Sequence, residues 1–383
     1  MPRRLRWGMV GGGRGAFIGH VHRMAARLDD GYELVAGALS SDPERAHLSA
    51  ADCHIAPERS YASFAEMAAQ ESERKDGIEV VSIVTPNHSH AAIARAFLEK
   101  GIDVICDKPL ATSLAEAVAL RDLAAARGRL LGVTYNYTGY PLVREARELV
   151  AQGEIGRVRL VQVEFLLGWL SVPLEAEGIK QTWRIDPAVA GPSGVVADIG
   201  THALHLANFV TGLTLDELSA DIQTFVPGRK LEDNAFVGLR YQGGARGSLW
   251  ASMVAAGEPV GLRLRVYGET GSLAWDQSLP DSLHLRPLDG APRTIYRGHA
   301  ASPAAKHGTR LVAGLPEGFV EGFANLYRDY AELIHARAEG RAPHAPALLA
   351  PLAEAGVEGL AFVEAVLQSA AKNGAWVKPA AAC

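Results

Sequence analysis

Short apolar runs alternate with longer amphipathic stretches over the first third of the chain. Residues 5–10 are apolar and end in a block of glycines. Residues 18–28 follow with apolar positions three and four apart, the period of a helix that buries one face. Residues 32–39 predict a second strand. Asp42-Pro43 then reads as an N-cap with proline at the first helical position. Residues 80–84 are rich in β-branched side chains, the pattern of a strand buried on both faces. Beyond them the spacing predicts a helix over 91–100, a strand over 103–106 and a strand over 130–134. Between the last two lies a helix over 113–127, opened by the capping box Ser113-x-x-Glu116. Strands alternating with helices of this length mean βαβ units and a parallel sheet. Residues 1–135 are therefore expected to form one doubly wound α/β domain.

The texture then changes. After a helix over 142–152, strands are expected at 158–167, 235–241, 245–253, 262–266 and 272–275. Turn signals such as Gly243-Gly244 separate them. Their alternation predicts a mostly antiparallel sheet with one face in water or against another subunit. A long helix is expected near 197–210, and two more at 319–337 and 348–371. No internal repeat is present. Residues 136–383 are taken as a second, α+β domain with an open-faced sheet.

The glycine block carries the first candidate chemistry. Gly11-x-Gly13-x-x-Ala16 follows a strand and opens a helix. This is the context in which glycines let a backbone approach a pyrophosphate at a helix N-terminus. Gly11, Gly13, Arg14, Ala16, Phe17 and Ile18 are candidate cofactor-binding residues. At the end of the second strand, where an acid grips the ribose of NAD, the chain has Ser40 and Ser41, with Arg45 one turn on. Serines tolerate a 2′-phosphate that a carboxylate would repel, which favours NADP over NAD. Two further loops leave the carboxyl edge of the parallel sheet, where ligands bind in such folds. One carries Thr85, Asn87 and His90; the other is Asp107-Lys108-Pro109. A lysine there can hydrogen-bond or protonate a reacting oxygen.

The second candidate lies in the stretch SGVVADIGTHALHL. On a helix, Asp198 and His202 are four apart and share a face. A carboxylate so placed holds an imidazole in one tautomer and raises its basicity. His205 lies three further on, so a metal site is conceivable, but no second cluster has ligand spacing and no metal is expected. Asn136 and Tyr137, which leave the last strand of the parallel sheet, and Trp183 and Arg184, which precede the Asp198 helix, are candidate substrate residues. A tryptophan face beside hydrogen-bonding groups suits a sugar or inositol ring.

Composition narrows the classes. The 383 residues carry a net charge of −5 and no long basic run, so nucleic acid is not an expected partner. No apolar stretch approaches the ~20 residues of a membrane span, and the start lacks a signal-peptide core. The three cysteines, Cys53, Cys106 and Cys383, form no C-x-x-C pair. That spacing fits a reducing cytoplasm rather than a disulfide scaffold.

Taken in order, the glycine loop, Thr85-Pro86-Asn87…His90, Asp107-Lys108-Pro109, Asp198-x-Gly-x-His202 and the closing AKNGAWVKP resemble the glucose–fructose oxidoreductase / inositol dehydrogenase (Gfo/Idh/MocA) family over nearly the whole chain. The resemblance implies a Rossmann domain followed by an open-faced sheet domain used for dimer or tetramer contacts. It implies NAD or NADP as cofactor and a sugar, sugar derivative or cyclic polyol as substrate. It implies that Lys108, Asp198 and His202 are the catalytic set. Asp107 stands where the family has glutamate and would contact the nicotinamide ribose through a shorter side chain. Two alternatives stay open: a dinucleotide-binding sensor without turnover, and an enzyme that keeps its cofactor and shuttles hydride between sugars.

Overall fold

A computed structural model describes residues 3–173 and 182–380. The chain groups into two compact units. One comprises residues up to 139 with 319–357; the other comprises 140–318 with the remainder.

The first unit is built on strands β1 (Leu5–Gly11), β2 (Tyr32–Ala38), β3 (Val80–Val84), β4 (Asp103–Cys106) and β5 (Leu131–Val133), all parallel, in the order β2-β1-β3-β4-β5. Every residue of β3 and β4 is buried, which accounts for their near-continuous apolar character. Helices α1 (Phe17–Leu28), α2 (Pro43–Asp52), α3 (Phe64–Glu73), α4 (His90–Glu99) and α5 (Leu114–Arg127) connect the strands. The expected caps are present. Asp42 accepts the Arg45 N–H at 2.7 Å and Ser113 accepts the Glu116 N–H at 3.3 Å. α3, opened by Ser63, escaped the sequence reading.

The helix Phe319–Glu339 was expected in the second domain, and the structure assigns it to the first unit. Its buried stripe of Phe323, Tyr327, Tyr330 and Ile334 joins the core formed by Leu5, Trp7, Val21 and Tyr32. Polar contacts fix its rotation. The Tyr32 hydroxyl donates to Tyr327 O at 2.7 Å, and the Tyr330 hydroxyl donates to Val133 O at 3.0 Å and Pro351 O at 2.9 Å. Arg337 clasps the buried Asp103 carboxylate at 2.5 Å. Local periodicity reveals a helix's apolar face but not which core receives it, so a single cut at residue 135 missed this return.

The second unit holds strands β6 (Val158–Leu166), β7 (Leu215–Gln223), β8 (Asn234–Tyr241), β9 (Arg246–Ser252), β10 (Gly261–Gly268), β11 (Gly271–Asp276), β12 (Ser282–Pro287) and β13 (Arg293–Tyr296). Their order is β13-β12-β11-β10-β6-β9-β8-β7. All pairs are antiparallel except β6 with β9. The expected fold class, a doubly wound parallel sheet followed by a mostly antiparallel one, is thus observed. β7, β12 and β13 were not anticipated. β7 and β13 are the two edges of the sheet, and their polar sequences, LDELSADIQ and RTIY, are the kind that blunt an edge against further pairing. The last helix runs Ala353–Ala371, beginning later than expected because Pro351 interrupts a start at 348.

Among the described residues no helix is long and apolar enough to cross a membrane. Cys53 and Cys106 are free and buried; Cys383 lies outside the described residues.

One hydrogen-bond chain runs through the core of the first unit. Trp7 Nε1–H donates to Ser82 Oγ at 2.8 Å, Ser82 Oγ meets the Tyr327 hydroxyl at 2.7 Å, and that hydroxyl meets His22 Nδ1 at 2.7 Å. Complete burial pushes the His22 pKa down to about 4. A depressed histidine pKa means that the unfolded chain binds the extra proton first. Its stabilising contribution is therefore whole above about pH 6.5 and is lost as pH falls towards 4, a change on the order of 3 kcal/mol. Denaturant unfolding at pH 7, 5.5 and 4.5 checks this: His22→Gln is expected to flatten the acid-side loss of stability. An equally steep loss in the variant would assign it to other groups.

Candidate active site

The glycine loop is shaped by steric closeness. Gly11 and Gly12 have φ of 79° and 73°, a region that side chains rarely adopt. A Cβ at Gly13 would lie 2.7 Å from both Leu39 O and Ser49 Oγ. The Gly13 N–H donates to Leu39 O at 3.1 Å, tying the loop to the end of β2. The small residue that lets helix and strand pack was expected to be Ala16. Instead Ala16 is the N-cap of α1, and Gly19 makes the close approach: its Cβ would sit 2.3 Å from Gly12 Cα. No side chain caps α1, and its first turn carries no acid. Its leading N–H groups and the positive end of its dipole thus suit an anion, and the loop fits a dinucleotide pyrophosphate. Phe17 is 66% exposed at the helix start, with Ile18 half-buried beside it.

Arg14, a candidate for a phosphate, has a partner within the protein. Its guanidinium pairs with Asp52 through two hydrogen bonds, at 2.5 and 2.8 Å. Ser49, which the sequence reading missed, organises the same corner. Its hydroxyl donates to Arg45 O at 2.6 Å and accepts the Arg14 N–H at 3.0 Å. At the end of β2, Ser40 Oγ accepts the Asp42 N–H at 3.1 Å, and Ser41 and Arg45 are exposed.

Two loops follow β3 and β4 at the same edge, and His90 joins them. Its Nδ1 lies 2.7 Å from Pro109 O and its Nε2 lies 2.8 Å from Thr85 O. Burial lowers its pKa, against the opposing pull of the two carbonyls and of Asp107. His90 was expected to meet the cofactor, but the protein itself occupies both ring nitrogens. Ser89 Oγ donates to Thr85 Oγ1 at 2.7 Å, and Asn87 is buried in the same turn. In the second loop, Asp107 Oδ1 accepts the Lys108 N–H at 2.9 Å and the Thr134 hydroxyl at 2.7 Å. The short acid is thereby held against β5, and Lys108 is half-buried at the edge. Burial next to Asp107 pushes the Cys106 thiol well up, so it stays protonated and unreactive. Asn136 and Tyr137 are buried just beyond β5. The Asn136 amide nitrogen has no hydrogen-bond partner among the described residues.

In the second unit, Asp198 lies in a π-helical turn, Val196–Gly200, that runs directly into the helix Thr201–Thr211 carrying His202. The sequence predicts one continuous α-helix here. The wider π turn brings positions four apart closer to one line along the helix, and such turns recur at functional sites. His202 is buried, its ring 6.2 Å from that of Phe165. Arg184 Nε lies 3.5 Å from Asp198 Oδ2, and its guanidinium stacks 4.3 Å over the Trp183 ring. The structure thus joins Trp183, Arg184 and Asp198. Further along the helix His205 stacks on Phe209, with its pKa pushed down to about 3 by burial. Among the described residues no group of three or more His, Cys, Asp or Glu could hold a metal ion.

These features define a two-unit chain whose first unit has the build of a dinucleotide-binding Rossmann fold. Residues 5–135 match the oxidoreductase family with an NAD-binding Rossmann fold, and residues 143–274 match the GFO/IDH/MocA C-terminal domain. The chain is 37% identical to the uncharacterized oxidoreductase YfiI of Bacillus subtilis, over 99% of this chain and 98% of the relative. It is 28% identical to the levoglucosan dehydrogenase of Pseudarthrobacter phenanthrenivorans, over 98% of each. Among solved structures, an inositol dehydrogenase homolog from Azotobacter vinelandii, complexed with NADH and myo-inositol, superimposes with a TM-score of 0.90 at 39% identity, over 99% of this chain and 98% of that one. The chain belongs to the Gfo/Idh/MocA oxidoreductase family.

The Gly12–Gly19 contact makes a direct prediction. Gly19→Ala forces α1 away from β1, an overpacking that costs about 1–3 kcal/mol. NADH affinity is expected to fall roughly tenfold or more, while Ala16→Gly changes it little. Fluorescence titration of both variants decides which position governs the approach.

Proposed function

We propose that this protein is an NAD(P)-dependent dehydrogenase that oxidises a hydroxyl of a sugar, sugar derivative or cyclic polyol, or reduces the matching ketone. The observation that carries the reading is Lys108, two residues beyond β4, at the sheet edge that also holds the glycine loop. The inositol dehydrogenase homolog and levoglucosan dehydrogenase support the substrate class. The bound nicotinamide supplies the hydride acceptor. His202 takes the hydroxyl proton, held in orientation by Asp198. Lys108 hydrogen-bonds the substrate oxygen and stabilises its developing negative charge. Asn136, with an amide donor to offer, and Tyr137 bind substrate hydroxyls. The Trp183 ring presents an apolar face to the ring C–H groups, and Arg184 pairs with Asp198 beside it.

Gly11, Gly13, Phe17, Ile18, Thr85, Asn87 and Asp107 line the dinucleotide, while Ala16, Arg14 and His90 support the loops that do. Ser40 and Ser41 favour NADP, and the solved relative holds NADH. The buried thiols of Cys53 and Cys106 suit a reducing cytoplasm.

A screen of sugars and polyols at 340 nm, with NAD and NADP in parallel, tests the reading. Turnover with at least one polyol or sugar is expected, with NADP serving at least as well as NAD. Binding of the dinucleotide without turnover on any of them would instead make this a sensor. Lys108→Ala is expected to lower kcat by about 10²–10⁴-fold and to leave the NADH Kd within a small factor; a variant with unchanged kcat removes Lys108 from the chemistry.

We further propose that the open face of the second sheet joins copies of the chain into a dimer or tetramer. Leu160 and Phe236 on that face are 54% and 48% exposed, and Phe236 stacks on Trp250 with ring centroids 5.2 Å apart. Light scattering is expected to give a dimer or tetramer for the wild type and a smaller species for Phe236→Asp. A monomeric wild type removes the proposal.

A further inference from the structure

The helix that carries Asp198 and His202 begins in the interior, where its leading N–H groups have no water to turn to. Each has a partner, and one residue provides most of them. Glu232 Oε1 accepts the Gly194 N–H at 2.8 Å and the Val196 N–H at 3.2 Å. Glu232 O accepts the Val195 N–H at 3.1 Å. The fourth donor, the Ala197 N–H, goes to Ser193 Oγ at 3.2 Å, and the same hydroxyl donates to Glu232 Oε1 at 2.5 Å. Only after this does the helix bond to itself, with the Asp198 N–H on Gly194 O at 3.0 Å. An ordinary N-cap residue satisfies one orphan donor from within the chain. Here one residue, 36 to 38 positions downstream in the turn before β8, takes three of the four leading donors.

The seat is sterically exclusive. A Cβ at Gly194 would lie 2.5 Å from Glu232 O, so the two segments meet backbone to backbone. Ser193 and Glu232 are both buried. Burial raises the Glu232 pKa, while the hydrogen bonds from Ser193, Val196 and Gly194 oppose that shift. The next residue, Asp233, is committed elsewhere: its carboxylate accepts the Phe225 and Val226 N–H groups at 2.9 and 3.1 Å.

We propose that Glu232 is a positioning residue for the reaction: it pins the turn Gly194–Ala197 and thereby sets the rotation of the π turn that aims Asp198 and, one turn on, His202. The inference deepens the dehydrogenase reading and rests on it for the roles of Asp198 and His202. A misplaced end of that turn rotates both side chains together, whereas the glycine loop lies in a different unit and is untouched.

The test compares wild type, Glu232→Ala and Glu232→Gln in the intact protein by two readouts. The first is amide hydrogen exchange over residues 194–202, which requires no substrate. Glu232→Ala is expected to speed exchange there without change in the peptides of the Rossmann unit. The second is turnover with whichever sugar or polyol the wild type oxidises. Glu232→Ala is expected to lower kcat about 10²-fold, the scale of an ångström of misplacement, with NADH affinity unchanged. Glu232→Gln retains an oxygen acceptor and is expected to recover to within roughly tenfold of wild type, since a neutral acceptor makes a weaker cap than a charged one. Unchanged exchange in Glu232→Ala overturns the proposal, as does equal kcat in all three proteins. Loss of exchange protection throughout the second unit, with no recovery in Glu232→Gln, also overturns it and makes Glu232 a folding residue only. A wild type without turnover on any substrate defeats the dehydrogenase reading instead, and the exchange readout still decides whether Glu232 holds the turn.

Discussion

Gly12 and Gly19 bring two stretches of backbone together with no side chain between them, where α1 leaves the loop after β1. Much at the nucleotide edge follows from that contact. It lets α1 lie close against the sheet and directs the uncapped helix start along the loop. It also leaves Gly13 near enough to β2 to donate to Leu39 O. Through α1 it places His22 under the sheet, where the imidazole meets Tyr327 and the hydrogen-bond chain reaches Trp7. A methyl group at that one point would have to be accommodated along the entire helix, because close-packed interiors transmit small displacements rather than absorb them.

The two units solve the same problem, an ordered polar group in a dry place, with different parts. In the first, an imidazole is clasped between main-chain carbonyls, so the loops bearing Thr85 and Lys108 are fastened to each other. In the second, a carboxylate receives main-chain N–H groups at the start of the Asp198 helix. Both devices bind backbone rather than side chain. They therefore fix the path of the chain and leave the residues that face solvent to chemistry.

Much of this was legible in the sequence because it is local. The strand–glycine–helix pattern, the Asp42 and Ser113 caps, the all-parallel first sheet and the antiparallel second are all written in short windows of periodicity. The lysine tripeptide and the Asp198–His202 spacing were readable for the same reason. What escaped was long-range. Nothing near residue 19 says that it will touch residue 12 more closely than Ala16 does. Nothing near residue 232 says that its carboxylate closes a helix forty residues earlier. Arg14 read as a phosphate ligand because its partner, Asp52, is 38 positions away. The π turn was read as ordinary helix, since one extra residue in a turn leaves little trace in an apolar pattern. The edge strands β7 and β13 were missed because a strand made to resist pairing looks, by composition, like a loop.

The return of residues 319–357 to the first unit has a bearing on how the chain is made. As it leaves the ribosome, the Rossmann sheet is complete by residue 133, yet Trp7, Tyr32 and Val133 lack the aromatic helix that covers them until almost two hundred more residues have been added. During that interval the nascent sheet exposes apolar surface that the finished protein hides, and its closure requires a contact between distant parts of the chain, the slow kind to form. A fragment cut after the last parallel strand would preserve that unfinished state permanently, so the nucleotide-binding half of this protein is a unit of structure without being a unit of synthesis.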